Sequence, residues 1–124
     1  MILSAAVMAA LGLGMSFLPQ ELLATLGVPD ADARLVVLVQ VVGALYLGFA
    51  ILDWMARGNP MGGIYSRPLV TGNLLHFAAA AIALVKATFA GGRGPAELVL
   101  TLTYVVLAIW FGAVLLSSPV RSAT

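Results

Sequence analysis

A group of polar side chains between residues 46 and 76 holds the residues of this chain that could do chemistry. Asp53 and His76 are both titratable and could form a proton-exchanging pair. Arg57 and Arg67 could hold an anionic head group. The candidate ligand-binding residues are Tyr46, Asp53, Arg57, Tyr65, Arg67, Asn73 and His76. Because apolar residues surround this group, it is either a binding site or a polar contact between two apolar segments.

The same residues do not form a catalytic or metal-binding pattern. One histidine and one nearby aspartate supply neither a nucleophile–base pair nor a set of metal ligands. The chain has no cysteine, which excludes disulfides, thiolate metal sites and thiol nucleophiles. A single histidine could join a metal site only across a symmetric oligomer. We therefore predict no catalytic residue, no metal and no cofactor.

The composition indicates that these residues lie in a membrane protein. Of the 124 residues, 62% are hydrophobic and 9% are charged, and the mean hydropathy is +1.09. A soluble domain has roughly 45–50% apolar and about 25% charged residues. A soluble fold of this length could not bury so much apolar surface. The net charge of +1 and the lack of a basic cluster argue against a nucleic-acid partner.

Four apolar stretches approach the ~20 residues that a helix needs to cross a bilayer. Backbone groups in lipid must be hydrogen-bonded internally, and no barrel-like alternation is present, so we predict helices. The first stretch lacks the positive start and cleavage site of a signal peptide. The predicted fold is an all-α, integral membrane four-helix up-down bundle, a single domain over residues 1–124. Its spans are predicted at about 1–18, 31–57, 68–90 and 97–117.

Helix-terminal residues support these boundaries. Asp30 is predicted to cap the second span, with Asp32 in its first turn, and Pro68 suits the first turn of the third span. The run "GGRGP" separates the third span from the fourth, and Pro119 is predicted to end the fourth.

A short amphipathic helix is predicted after the first span, within "PQELLATLGVPD". Leu22, Leu23 and Leu26 share one helical face, and Gly27 followed by Pro29 stops the turn. This segment is typical of a helix at the lipid surface. The alternative is a one-turn extension of the first span.

The second and third spans can be aligned by placing Arg57 and Pro68 at the same interface. In this register Asp53 lies opposite Asn73, and Tyr46 lies opposite Ala80. The proposed inward face of the second span consists of Gly43, Tyr46, Ala50 and Asp53. The corresponding face of the third span consists of Asn73, His76, Ala80, Ala83 and Ala87. In the other helices, Gln40 is expected to bond a neighbouring helix, and Tyr104 is expected in the core.

Two interpretations of the polar group remain open. Ionisable residues at membrane depth are costly in lipid, so they should face the bundle interior. They could clamp the two helices together and bind nothing. They could instead form a pocket for a ligand or a proton.

The runs "LVQVVGALYLGFAILDWMARG" and "GGIYSRPLVTGNLLHF" resemble small bacterial inner-membrane proteins of unknown function, four-helix chains that are loosely DoxX-like. The resemblance covers most of residues 19–117 and implies a location in the bacterial inner membrane, without an established activity. DoxX itself is linked to a quinone-dependent oxidoreductase complex, but this sequence has no motif that would carry such an activity over.

An even number of spans places both termini on one side. Positive residues on that side are Arg57, Arg67 and Arg121; those on the other are Arg34, Lys86 and Arg93. Lys86 is a borderline member of the second set, so the count under the positive-inside rule is close to a tie, and we expect both termini in the cytoplasm.

The sequence therefore favours a binding or accessory protein that holds a membrane lipid or small amphiphile in a polar pocket between the second and third helices. Its glycine- and alanine-rich faces predict a homo-oligomer or a partner membrane subunit. The alternatives are an oligomeric carrier or channel for a small solute or ion, in which Asp53 and His76 provide a pH-sensitive step, and a purely structural subunit of a larger complex.

Overall fold

A computed structural model describes residues 1–59, 66–91 and 94–117, and the regular elements in these ranges are all helical. The helices are α1 (Ile2–Phe17), α2 (Pro19–Thr25), α3 (Ala33–Met55), α4 (Arg67–Phe89) and α5 (Pro95–Ser117), with a 3₁₀ turn at Ala56–Gly58. The predicted all-α class is confirmed for this part of the chain. Tyr65, Arg93, Pro119 and Arg121 lie outside the described residues, so the prediction that Pro119 ends the last span stays a prediction.

Three helices in the described ranges are long and apolar enough to cross a membrane. They are α3 together with the 3₁₀ turn that follows it (Ala33–Gly58), α4 and α5. A fourth span exists only if α1 and α2 count as one broken span, because their axes differ by 105°. Alone, α1 has 16 residues and a length of about 24 Å. The chain therefore has the helices of a multi-pass membrane protein.

A bend of 105° separates α1 from α2. Because of the 105° angle, α2 does not extend α1 along its axis. Gly27, with a φ of 85°, ends α2: its N–H donates to the Ala24 carbonyl, and Val28 N–H donates to the Leu23 carbonyl. These two bonds form a Schellman motif. In the predicted leucine face, Leu23 is buried, whereas Leu26 is exposed.

The starts of α3 and α4 show how polar residues and proline set helix boundaries. Asp32 caps α3, because its Oδ1 accepts a hydrogen bond from Leu35 N–H at 2.8 Å. The prediction that Asp30 is the cap is wrong: α3 begins at Ala33, and the cap must directly precede the first helical residue. Pro68 lies in the first turn of α4, as predicted.

The start of α5 uses the second half of a capping box. Glu97 Oε2 accepts a hydrogen bond from Gly94 N–H at 2.9 Å, across the first turn of the helix. A carboxylate at this position satisfies a backbone donor that the helix cannot.

The chain divides into a first unit, Met1–Gly58, and a second unit, Asn59–Thr124. The first unit is built on the contact between α1 and α3. Gly12 packs against Leu47 and Gly43, and further along α1 Ser16 packs against Gly43. Residue numbers increase along α1 while those of the contacting residues in α3 decrease, so the two helices are antiparallel.

The closest approach within the first unit occurs at glycines. A Cβ added to Gly43 would lie 2.6 Å from Ser16 Oγ, and one added to Gly12 would lie 2.9 Å from the Leu47 backbone nitrogen. Gln40 Nε2 donates to the Ser16 carbonyl at 3.4 Å, which confirms the predicted bond to a neighbouring helix. Small residues let helix backbones approach closely in membranes.

The second unit is built on the contact between α4 and α5. The buried residues recur every three or four positions, as expected for one face of each helix. They are Val70, Asn73, Phe77 and Ala81 on α4, and Thr101, Tyr104, Leu107 and Phe111 on α5. The burial of Tyr104 confirms the prediction that it belongs to the core.

We expect Gly43→Ala to destabilise the first unit, because the added methyl group overlaps Ser16. Overpacking of this kind costs ~1–3 kcal/mol. Gly48→Ala on the same helix is the matched control, since a Cβ there meets nothing within 4 Å. It should be neutral or stabilising by up to ~1 kcal/mol, the helix-propensity difference. Unfolding in mixed micelles, followed by circular dichroism, measures both changes. Equal stability of the two variants would contradict the close approach.

Candidate functional site

The predicted inward face of α3 is the face that the structure buries. Gly43, Ala50 and Asp53 are the buried residues of this helix, and Tyr46 is half-buried. They recur at intervals of three or four residues, which places them along one side of the helix. Asp53 is 0% exposed. A carboxyl group in a membrane-spanning helix is therefore kept inside the protein, as the cost of placing it in lipid requires.

Arg57 lies one turn beyond Asp53, in the 3₁₀ turn that follows α3. Its Nη1 donates a hydrogen bond to the Trp54 carbonyl at 2.6 Å. Its Cζ lies 4.1 Å from the centroid of the Trp54 ring, a cation–π arrangement. Both residues are exposed. The end of α3 therefore presents a positive charge whose position is fixed by the tryptophan beneath it.

An apolar groove of about 350 Å³ runs between α1 and α3 in the first unit. Every lining side chain is apolar, and on the α1 side most are alanine. The lining residues are Ile2, Ala5, Ala6 and Ala9 from α1, and Leu47, Ala50, Ile51 and Trp54 from α3. The sequence does not predict this groove. The signal that could have found it is the set of three alanines within two turns of α1, where larger side chains would fill the space.

In the second unit, Asn73 and His76 lie one turn apart on α4. Asn73 is 0% exposed, and its Nδ2 donates to the Leu69 carbonyl one turn earlier, at 3.1 Å. His76 is half-buried. Its ring centroid lies 5.8 Å from that of Tyr104 on α5 and 5.1 Å from that of Phe77. Of the two predicted site residues on this helix, Asn73 is therefore bonded to the backbone, and His76 is in contact with aromatic rings.

An aromatic cluster surrounds His76 and forms the centre of the second unit. Phe77 contacts Tyr104 edge-on at 5.3 Å and stacks with Phe111 at 5.8 Å. Phe77 and Phe111 are both 0% exposed. Such ring pairs contribute about 0.5–1.5 kcal/mol beyond their buried area. Phe77 and Phe111 are not among the predicted site residues; Phe77 contacts the histidine ring directly, and Phe111 stacks on Phe77.

The buried face of α4 differs from the predicted face. Asn73 belongs to both, but the buried stripe continues through Phe77 and Ala81, whereas Ala83 is exposed. Ala83, which the sequence placed on the inward face, is thus exposed, whereas the register of α3 against α4 joins the two units and stays a prediction. Phe77 lies at the centre of the face that α4 packs against α5.

The structure thus groups the predicted site residues by unit. The first unit brings Tyr46 and Asp53 onto one face, with Arg57 one turn beyond. The second unit brings Asn73 and His76 together, while Arg67 is an exposed residue at the start of α4. Tyr65 lies outside the described residues. The predicted pairing of Asp53 with Asn73 joins the two units and stays a prediction.

The described residues contain no group of three or more histidine, aspartate or glutamate side chains that could hold a metal ion. The first unit has an apolar groove with Arg57 next to the Trp54 that lines it. The second unit has a buried Asn73 and a half-buried His76 in contact with aromatic rings.

We expect Phe77→Ala to destabilise the second unit, because it removes the ring that Tyr104 and Phe111 both contact. The cost should be ~3 kcal/mol, the low end for a buried Phe→Ala change. The low end applies because lipid is as apolar as the protein interior, which leaves packing as the main loss. Phe89→Ala on the same helix is the control, since Phe89 is 87% exposed. Similar unfolding curves for both variants would contradict a packed aromatic centre.

Comparison of the chain with protein-family models, with curated proteins and with solved structures finds no match. The resemblance to DoxX-like membrane proteins therefore stays a prediction from the residues that carry it.

Proposed function

We propose that this chain is a membrane-embedded binding or accessory protein that holds a lipid or another small amphiphile in the groove of its first unit. The observation that carries the proposal is the groove itself, about 350 Å³ in volume and lined by apolar side chains only. Its volume lies within the ~300–1,000 Å³ of small-molecule sites. Its lining matches a hydrocarbon chain better than any polar solute.

The membrane setting favours a hydrocarbon occupant of this groove. Water gains no hydrogen bonds from a wall of alanine, leucine and isoleucine side chains, so such a space stays dry. An empty space leaves its lining atoms without dispersion contacts. A hydrocarbon chain supplies these contacts, and the bilayer supplies the chain. The alanines of α1 therefore leave room for a molecule from the membrane.

A second candidate function rests on the complete burial of Asp53. An ionisable group inside a membrane-spanning helix is by default a candidate for ion or proton movement. In this alternative the chain is an oligomeric carrier or channel, and Asp53 and His76 provide its titratable groups. The polar pocket predicted between the second and third helices is proposed as a site for the lipid or amphiphile, and the carrier alternative uses Asp53 and His76 of the same pocket. It would place Asp53 and Tyr46 with Asn73 and His76, and Arg67 and Tyr65 near its mouth.

The finer architecture is also a proposal. We propose a four-helix up-down bundle in which α1 and α2 together provide the fourth membrane-inserted segment. The proposed location is a bacterial inner membrane, with both termini in the cytoplasm. The glycine- and alanine-rich helices support a homo-oligomer or a partner membrane subunit.

A cysteine pair tests the proposed register of α3 and α4. The chain has no cysteine, so Tyr46→Cys with Ala80→Cys adds the only thiols. We expect oxidation to form an intrachain disulfide in this variant, because the sequence register places the two positions at the same depth on facing sides. Tyr46→Cys with Ala79→Cys is the control, because the next position on a helix points about 100° away. Mobility on a denaturing gel, with and without reductant, measures the product. Equal yields from the two pairs would overturn the register.

Filling the groove tests the proposed function. We expect Ala6→Phe to remove bound lipid, because Ala6 lines the groove and is exposed, so the new ring can occupy the space without a clash in the core. Native mass spectrometry of protein extracted in mild detergent measures the adducts that remain.

Ala10→Phe is the matched control, because Ala10 is also an exposed alanine of α1 but does not line the groove. It should retain the lipid adducts of the unchanged protein. Loss of adducts in Ala6→Phe alone supports the proposal. Adducts that persist equally in both variants, or their absence from the unchanged protein, would refute it.

A further inference from the structure

We propose that the occupant of the groove is an anionic glycerophospholipid of the bilayer, with one acyl chain in the groove and its phosphate at Arg57. This inference rests on the proposed function and adds the chemical class of the ligand. It joins two features of the first unit that share one residue: Trp54 lines the groove, and the guanidinium of Arg57 lies 4.1 Å from the centre of its ring.

The end of the groove that lies near the positive charge of Arg57 is the end at Trp54. Because α1 and α3 are antiparallel, the Ile2 end of the groove corresponds to Trp54, and the Ala9 end corresponds to Leu47. Both lining segments cover seven residue steps, or about 10 Å of helix. An acyl chain that lies along this groove would have the end attached to its head group beside the indole ring of Trp54. Arg57 follows α3 directly, so the cation stands where the head group of such a lipid would emerge.

The head group must provide the selectivity, because the groove cannot. Lipid tails are as apolar as the side chains that line the groove, so a chain gains little by exchanging bilayer neighbours for protein neighbours. All phospholipids of similar chain length therefore fit the apolar part about equally. A guanidinium, by contrast, matches a phosphate with several N–H donors in a planar fork. An anionic lipid also has a net charge for the cation to attract, which a zwitterionic lipid lacks.

Arg57 is held in place for this role before any lipid binds. Its hydrogen bond to the Trp54 carbonyl, at 2.6 Å, and its position over the indole ring restrict a side chain that otherwise has many rotamers. A restricted side chain loses less entropy on binding. Among the described residues Trp54 is the only partner of this guanidinium, which leaves most of its N–H donors for a phosphate.

Tryptophan fluorescence can measure this selectivity inside a bilayer. The chain has two tryptophans, so Trp110→Phe leaves Trp54 as the only tryptophan, which is excited selectively over the tyrosines, and Trp110 is itself exposed. The protein is placed in vesicles of phosphatidylglycerol and phosphatidylcholine with identical chains, and either lipid is brominated in its acyl chain. Bromine quenches a nearby indole, so the ratio of quenching by the two lipids reports which of them lies in the groove. Each variant is normalised to its emission in unbrominated lipid.

We expect phosphatidylglycerol to be preferred by about five-fold, the effect of one arginine near anionic lipid. Arg57→Gln in the same background should reduce the ratio to about one. Arg34→Gln removes the same charge from an exposed position at the opposite end of α3 and should leave the preference unchanged. A ratio near one before any arginine is replaced, or an equal loss in both arginine variants, would overturn the assignment of Arg57.

The outcomes also separate this inference from the proposed function. If Ala6→Phe removes bound lipid but Arg57→Gln leaves the preference intact, the groove binds lipid and the anionic head group is not recognised at Arg57. If Ala6→Phe changes neither adducts nor Trp54 quenching, the groove holds no lipid, and both the function and the inference fail. Helical melting of each variant confirms that the compared proteins are folded.

Discussion

The close approach of α1 and α3 at Gly12 and Gly43 is the contact on which the first unit depends. In a bilayer the hydrophobic effect does not drive helices together, so packing and interhelical hydrogen bonds must do so. At these glycines the two backbones come too close for a methyl group, and Gln40 adds a hydrogen bond to Ser16 across the same contact. The groove lies at the other end of the same helix pair, where alanines leave space that neither helix fills. The glycine contact therefore holds α1 against α3 at one end of the pair, and the groove lies towards the other end.

The second unit achieves the same result with different chemistry. Its centre is a set of aromatic rings, with Phe77 between Tyr104 and Phe111, where the first unit has glycine. Large rings give many dispersion contacts and specific ring geometries, so α4 and α5 can pack firmly without a close backbone approach. Each unit also contains a fully buried polar side chain, Asp53 in the first unit and Asn73 in the second. Polar side chains at such depth are kept inside the protein because lipid would leave them without hydrogen-bond partners.

The helix boundaries and the inward face of α3 follow from sequence, because they depend on a few residue types. Proline and aspartate mark helix starts, although Asp30 and Asp32 are too similar to tell which one caps α3. The inward face of α3 is visible because glycine and aspartate stand out among apolar residues.

The inward face of α4 is not visible in this way. In a membrane the outer surface of a helix is as apolar as its packed surface, so Phe77 and an exposed leucine look alike in periodicity. The groove cannot be predicted from the sequence either. Its shape depends on how α1 and α3 pack, and periodicity does not show where small side chains leave space between two helices.

Trp54 and Arg57 show how such a protein could combine affinity and selectivity. The apolar groove excludes water and accepts a chain, but it has no group that tells one lipid from another. The guanidinium can tell anions from neutral molecules, but at an exposed position it would bind only weakly by itself. The tryptophan connects the two, because it forms part of the groove wall and also holds the arginine over its ring. A ligand that carries both a hydrocarbon chain and a phosphate would gain from both parts at once. With its hydrocarbon chain confined by the groove, such a ligand would keep its phosphate near Arg57 at a high local concentration, and a weak charge contact would then decide which lipid remains bound.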